Sequence, residues 1–186
     1  MAKPKLAAST YVALLRGINV GGKNLLPMKA LAAMFRDEGA TDVSTFIASG
    51  NVIFDAAPTL AAGLAPRIER RIAADFDLRV PVVLRSSAEL ATAVAKNPFV
   101  ARGADENQLF VMFLADAPAA AATRALDPKR SPPDEFALVG RDLYLRLPNG
   151  AARTKLTNAY FDKALATIGT ARNWRTTRKL LELATR

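Results

Sequence analysis

Cysteine and histidine are both absent from the 186 residues. Without them the chain has no disulfide, no thiol nucleophile, no Cys/His zinc site and no histidine base or triad. Any chemistry falls to Lys, Arg, Asp, Glu, Ser, Thr, Tyr or a bound metal. Clustered acids are missing as well: Asp37, Asp42, Asp55, Asp75, Asp105, Glu106 and Asp116 are scattered over helix ends, loops and strand ends. None sits at metal-ligand spacing or beside a matched Ser or Lys nucleophile, so no catalytic residue, metal or cofactor is assigned and enzyme activity is left open. Long apolar runs are lacking too; nothing approaches the roughly 20 residues of a membrane-spanning helix. Residues 6–15 faintly resemble a signal peptide, but Ser9, Thr10 and Tyr11 interrupt the run and Arg16-Gly17 follows without a small-x-small cleavage site. A soluble, cytoplasmic protein with no membrane partner is expected.

What is present is enough apolar material for a core, 51% of residues, although much of it is alanine and buries little area per residue. The length admits one ordinary domain or two small ones. Net charge is +9, and ten basic against three acidic residues from Arg141 to Arg186 place a surplus of seven in the last quarter. Such asymmetry favours an anionic partner; a merely solubilising surface fits the same charge equally well.

Residue periodicity predicts the elements. Residues 11–15 form an apolar run of strand length, buried on both sides. Pro27 reads as a helix-start residue, and Met28, Leu31, Ala32 and Phe35 mark one helical face that ends at Gly39. Strands 43–47 and 51–54 flank Ala48-Ser49-Gly50, a hairpin signal. Leu64, Ile68, Ile72 and Phe76 line a second helix with Pro66 in its first turn, and residues 80–84 close the unit as a strand. That order, βαββαβ, is the ferredoxin-like pattern, in which the fourth strand lies at a sheet edge and tolerates Pro81. Ser86 and Glu89 form a capping box for a further helix. The pattern then recurs: strand 109–114, helix 118–126, a hairpin of 136–139 and 143–147 around Gly140-Arg141-Asp142, helix 156–165, a short strand 171–173 and helix 174–184. The expected fold is therefore α+β: a flexible tail (1–9), then two tandem ferredoxin-like subdomains (10–97 and 98–186), with largely antiparallel sheets and helices on one face. Residue identity between the two halves is not evident.

The loop 16–24, Arg-Gly-Ile-Asn-Val-Gly-Gly-Lys-Asn, is the most unusual stretch. Gly17, Gly21 and Gly22 permit positive φ and close approach of backbone, Lys23 adds a point charge, and successive N–H groups in such a loop can cup an anion. Gly17, Gly22 and Lys23 match the phosphate-loop spacing, but Asn24 replaces the Ser or Thr that holds magnesium and residues 25–27 separate the loop from its helix. The alternative is a glycine-rich turn whose Asn19 and Asn24 side chains bond the backbone. With Pro27-Met28, Ser49-Gly-Asn-Val52 and Phe54, and further with Asn97-Pro-Phe99, Gly140-Arg-Asp142, Tyr144, Lys155-Leu-Thr157, Thr170-Ala-Arg-Asn-Trp174 and Lys179-Leu180, this loop resembles the bacterial family catalogued as domain of unknown function 1697. The resemblance runs over residues 11–184 in order. It implies an α+β fold of two related subdomains and no particular reaction.

Ser49 and Asn51 mark the hairpin tip as a second candidate contact, with a plain positive-φ turn as the alternative. Arg172, Trp174 and Arg175 place an aromatic ring between two guanidiniums, an arrangement able to stack on a base while holding phosphates; a core tryptophan with solvated cations is the alternative. Together with Lys155 these residues form a possible second surface. The sequence thus points to a binder of a phosphate-bearing ligand, a nucleotide or nucleic acid. Arg16, Gly17, Asn19, Gly21, Gly22, Lys23, Asn24, Ser49, Asn51, Lys155, Arg172, Trp174 and Arg175 are its candidate contacts. An enzyme acting on a phosphorylated small molecule and a ligand-free assembly module are the competing functions, and the oligomeric state is left open.

Overall fold

The computed structural model describes residues 8–186, so residues 1–7 of the expected tail lie outside the described residues. In chain order the elements are β1 (Ser9–Leu15), α1 (Met28–Asp37), β2 (Thr41–Phe46), β3 (Asn51–Ala56), α2 (Pro58–Ala61), α3 (Leu64–Phe76), β4 (Val82–Ser86), α4 (Ser87–Ala95), α5 (Pro98–Ala101), a 3-10 turn at Glu106–Gln108, β5 (Leu109–Leu114), α6 (Ala120–Arg124), β6 (Glu135–Val139), β7 (Asp142–Arg146), α7 (Asn158–Leu165), β8 (Gly169–Asn173) and α8 (Trp174–Ala184). The strands form two four-stranded sheets, ordered β2-β3-β1-β4 and β6-β7-β5-β8, and every paired neighbour is antiparallel. The chain divides into two compact units: one runs through Leu90 and includes Leu180–Arg186, the other spans Ala91–Lys179.

In the first unit the alternation of β1 sends Tyr11, Ala13 and Leu15 toward the helices, where they meet Val52, Phe54, Leu84 and Val82 of the neighbouring strands. Leu31 and Phe35 of α1 and Leu64, Ile68 and Ile72 of α3 complete this core, all fully buried. Each such side chain contributes roughly 1.5–3 kcal/mol of burial free energy. Val12, Leu14, Ile53 and Val83 on the opposite face are buried too, as the uninterrupted apolar run of β1 predicts. In the second unit Met112, Leu114, Leu143 and Leu145 of the sheet pack with Leu156, Phe161 and Leu165 around α7.

The two units share one wiring pattern. Leu15 N–H donates to Gly50 O (2.8 Å), and Leu114 N–H to Arg141 O (2.9 Å). Arg16 N–H reaches Pro81 O (3.0 Å), and Ala115 N–H reaches Ile168 O (2.8 Å). Arg85 of β4 faces Val12 and Arg172 of β8 faces Val111, both arginines being buried. Between β1 and α1, however, lie residues 16–27, whereas only 115–119 separate β5 from α6.

Several expected boundaries shift. Strand β1 already begins at Ser9, inside the presumed tail, because Ser9 pairs with Ala56. β4 starts at Val82, two residues later than expected; Pro81 precedes the strand at the sheet edge and offers only its carbonyl, to Arg16. Pro27 is the N-cap of α1 rather than its first helical residue. The alanine-rich helix shrinks to Ala120–Arg124, and α7 begins at Asn158 because the Thr157 hydroxyl caps Tyr160 N–H (3.2 Å). The capping box forms as expected: Ser86 Oγ accepts from Glu89 N–H (3.2 Å) while Glu89 Oε2 accepts from Ser86 N–H (2.8 Å).

Gly50 lies at φ +84, and a Cβ there would stand 2.7 Å from Leu15 Cβ and 2.9 Å from Ile18 Cδ1. Left-handed strain and overpacking then act together, so Gly50→Ala is expected to lower unfolding free energy by about 2–4 kcal/mol in urea titration.

Candidate functional site

The loop leaving β1 is a small hairpin of its own. Val20 O accepts from Lys23 N–H (3.1 Å), and both central residues have positive φ, Gly21 at 58° and Gly22 at 72°, the mark of a type I′ turn. Gly17, Asn19 and Asn24 are left-handed as well, at 71°, 53° and 49°. Asn tolerates that region because its short polar side chain bonds locally, and both asparagines do so. Asn24 Nδ2 donates to Gly17 O (2.8 Å), and Asn19 N–H donates to Asn24 O (3.1 Å).

The Asn19 side chain does most. Its Oδ1 accepts from Leu26 N–H (2.8 Å), while Nδ2 donates to Leu26 O (2.9 Å) and to Ala48 O (2.9 Å). One amide thereby closes the loop upon itself and ties it to the β2–β3 hairpin tip. Ile18 is fully buried beneath as the loop's apolar anchor. The β1–α1 loop and the β2–β3 tip therefore share one end of the first sheet, which the sequence left undetermined.

This geometry redistributes roles among the candidates. Gly17, Asn19, Gly21, Gly22 and Asn24 are explained by shape. The amides of Asn19 and Lys23 are consumed internally, and the loop does not open into a helix, so the phosphate-loop spacing is coincidental. Asn51 is fully buried; its Nδ2 donates to Phe46 O (3.0 Å) and Ser49 Oγ (3.3 Å), so both residues close the hairpin. Lys23 is exposed, and among the described residues its ammonium has no hydrogen-bond or ion-pair partner. Arg16 is half-buried at the base of the loop.

Residues that the sequence did not single out join them. Val20, Leu25 and Ile47 are 62%, 68% and 51% exposed. Ile47 also holds φ +49, a strained value for a β-branched side chain, at the tip where glycine or asparagine would be at ease. Nearby, a cleft of about 390 Å³ opens between α1 and β2, lined by Met28, Lys29, Ala32, Arg36, Val43 and Thr45. Met28 Sδ lies 3.9 Å from Asn19 Nδ2, which brings the cleft up to the loop.

In the second unit the proposed aromatic platform does not exist. Trp174 is 2% exposed and presents no ring face to a ligand, as the core alternative requires. Arg172 is 8% exposed; Nη1 donates to Thr170 Oγ1 (2.9 Å) and Ala171 O (2.9 Å), and burial pushes its pKa down to about 10. Arg175 and Lys155 are exposed. Arg178 pairs with Glu106 (2.8 Å). Glu135 accepts from Arg146 (2.7 Å) and Arg102 (3.2 Å), and chiefly the Arg146 hydrogen bond holds its carboxyl below the usual range. That is the reverse of the raised pKa a general acid needs.

Fold and loop together describe a two-unit α+β protein with one elaborated sheet end. The chain belongs to the family described as protein of unknown function (DUF1697), whose model matches residues 8–144. The Lys155-Leu-Thr157 and Thr170–Trp174 motifs lie beyond that match. No curated protein matches the chain. Among solved structures it is similar to the conserved bacterial protein SP0830 from Streptococcus pneumoniae, with a TM-score of 0.73 and 22% identity over 96% of this chain and 99% of that one. That likeness shows a shared fold. Among the described residues no helix is long and apolar enough to cross a membrane, and no group of His, Cys, Asp or Glu could hold a metal ion.

Two stability effects of opposite sign are expected from chemical denaturation. Asn19→Ala removes the clamp and orphans Leu26 N–H, costing about 2–4 kcal/mol. Ile47→Asn relieves the left-handed strain and stabilises by about 0.5–1 kcal/mol.

Proposed function

We propose that the protein is a binding protein for a phosphate-bearing ligand, held at the loop end of the first sheet. The observation that carries this is the Lys23 ammonium, presented without a partner among the described residues on a turn whose backbone is held by Asn19 and Asn24. A cation on a preorganised loop loses little freedom on binding, which favours affinity. The adjoining cleft adds Lys29 and Arg36, and its volume falls within the range of small-ligand sites. Of the sources suggested by sequence, nucleotide and nucleic acid, the second loses its stacking group, since Trp174 is buried. Within this reading Arg16 and Lys23 contact phosphate, while Gly17, Asn19, Gly21, Gly22 and Asn24 set the shape. We also infer that each unit is ferredoxin-like, a reading that the strand order β2-β3-β1-β4 and its counterpart support.

Pyrophosphate, a nucleoside triphosphate and a short oligonucleotide, each titrated at low salt, test the reading by thermal unfolding. At ligand tenfold above Kd the melting temperature is expected to rise by about 3–6 °C. Lys23→Ala should abolish most of that rise. A wild-type protein indifferent to all three compounds overturns the proposal.

A further inference from the structure

Three exposed aliphatic side chains share the loop end of the first sheet with Lys23, and phosphate binding alone has no use for them. Val20 follows Asn19, Leu25 precedes Leu26, and Ile47 precedes Ala48; Asn19, Leu26 and Ala48 are the three members of one hydrogen-bonded clamp. Each exposed aliphatic residue is thus one position from a fixed point. Exposures of 62%, 68% and 51% leave each of them open to an outside partner. The charge around them has one sign. Residues 16–36 contain Arg16, Lys23, Lys29 and Arg36 and no acid, and residues 43–54 contain no acid either. The α3–β4 connection, which reaches the base of the loop through Pro81, contains one acid and one base, Asp77 and Arg79.

Resting on the phosphate-binding reading, we propose that the phosphate belongs to an anionic phospholipid surface. The protein docks on it peripherally, Val20, Leu25 and Ile47 entering the acyl boundary while Lys23, Arg16 and Lys29 meet headgroups. Reversible attachment of this kind needs two signals, apolar insertion and electrostatic attraction, and both are present at one sheet end. Exposed aliphatic side chains beside cations suit an anionic bilayer, whereas a nucleic acid would call for exposed aromatic rings or arginine planes. The lack of a spanning helix, on which the expectation of no membrane partner rested, does not bear on surface docking. Strain at Ile47 is intelligible here, because it holds an aliphatic side chain outward at a tip where asparagine would be more stable.

Co-sedimentation with vesicles of phosphatidylcholine alone, and of equimolar phosphatidylcholine and phosphatidylglycerol, decides the matter. Wild type should partition onto the anionic vesicles only, and less as salt rises. Leu25→Ser and the double variant Val20→Ser/Leu25→Ser should lower partitioning by about tenfold or more with melting temperature unchanged. Lys23→Ala should lower it about fivefold. Ile47→Asn should bind more weakly while being more stable, a combination that a purely structural residue does not produce. Binding that ignores the serine substitutions overturns the proposal, since general basicity then explains it. If pyrophosphate or an oligonucleotide stabilises the protein through Lys23 and vesicles do not bind, the lipid assignment falls and the phosphate reading stands. If neither binds, both fall.

Discussion

The side-chain amide of Asn19 is the contact on which the elaborated end of the first sheet depends. It offers one acceptor and two donor hydrogens, and all are used: Leu26 is held by both its N–H and its carbonyl, and Ala48 by its carbonyl. A loop of twelve residues (16–27) would otherwise sample many conformations, at a cost of about 1–2 kcal/mol for each residue fixed. The amide and the buried Ile18 offset part of that cost, while the left-handed glycines spare the turn the strain that a Cβ would add. What emerges is a turn tied at several points, and those ties give the exposed side chains around it a defined arrangement.

The architecture was legible because hydrophobic periodicity and turn chemistry agreed. Leu64, Ile68 and Ile72 fall where the 3.6-residue period predicts, and the Ser86/Glu89 capping box forms as its spacing requires. Helix ends were harder, because a Thr157 cap or a run of alanines decides a boundary by local bonds that periodicity does not record. The glycines and asparagines make the loop stand out in the sequence, and in the structure they shape its backbone. Val20, Leu25 and Ile47 escaped notice because an isolated aliphatic residue in sequence gives no sign of exposure; only the fold reveals that the clamp turns them outward.

The second unit shows the limit of counting charge. Of the basic residues from Arg141 onward, Arg172 is buried against Thr170 and Ala171, Arg146 and Arg178 are paired with Glu135 and Glu106, and Lys155 and Arg175 are exposed. Trp174 lies in the interior. Composition reports how many cations a chain carries and says nothing of which ones water can reach.

The common wiring of the two sheets has a consequence for what the glycine-rich excursion is. The second half joins its first strand to its next helix with residues 115–119 and still makes the same pair of amide contacts that seal the first half. A five-residue bridge therefore suffices for this topology in the second half, whereas the longer one adds Ile18 and Leu26 to the core and an exposed turn beyond them. Within a single chain the molecule carries its own reference copy, a plain version of the fold against which the ornamented version can be judged. The difference between them singles out residues 20–25, the part of the excursion that stays outside the core.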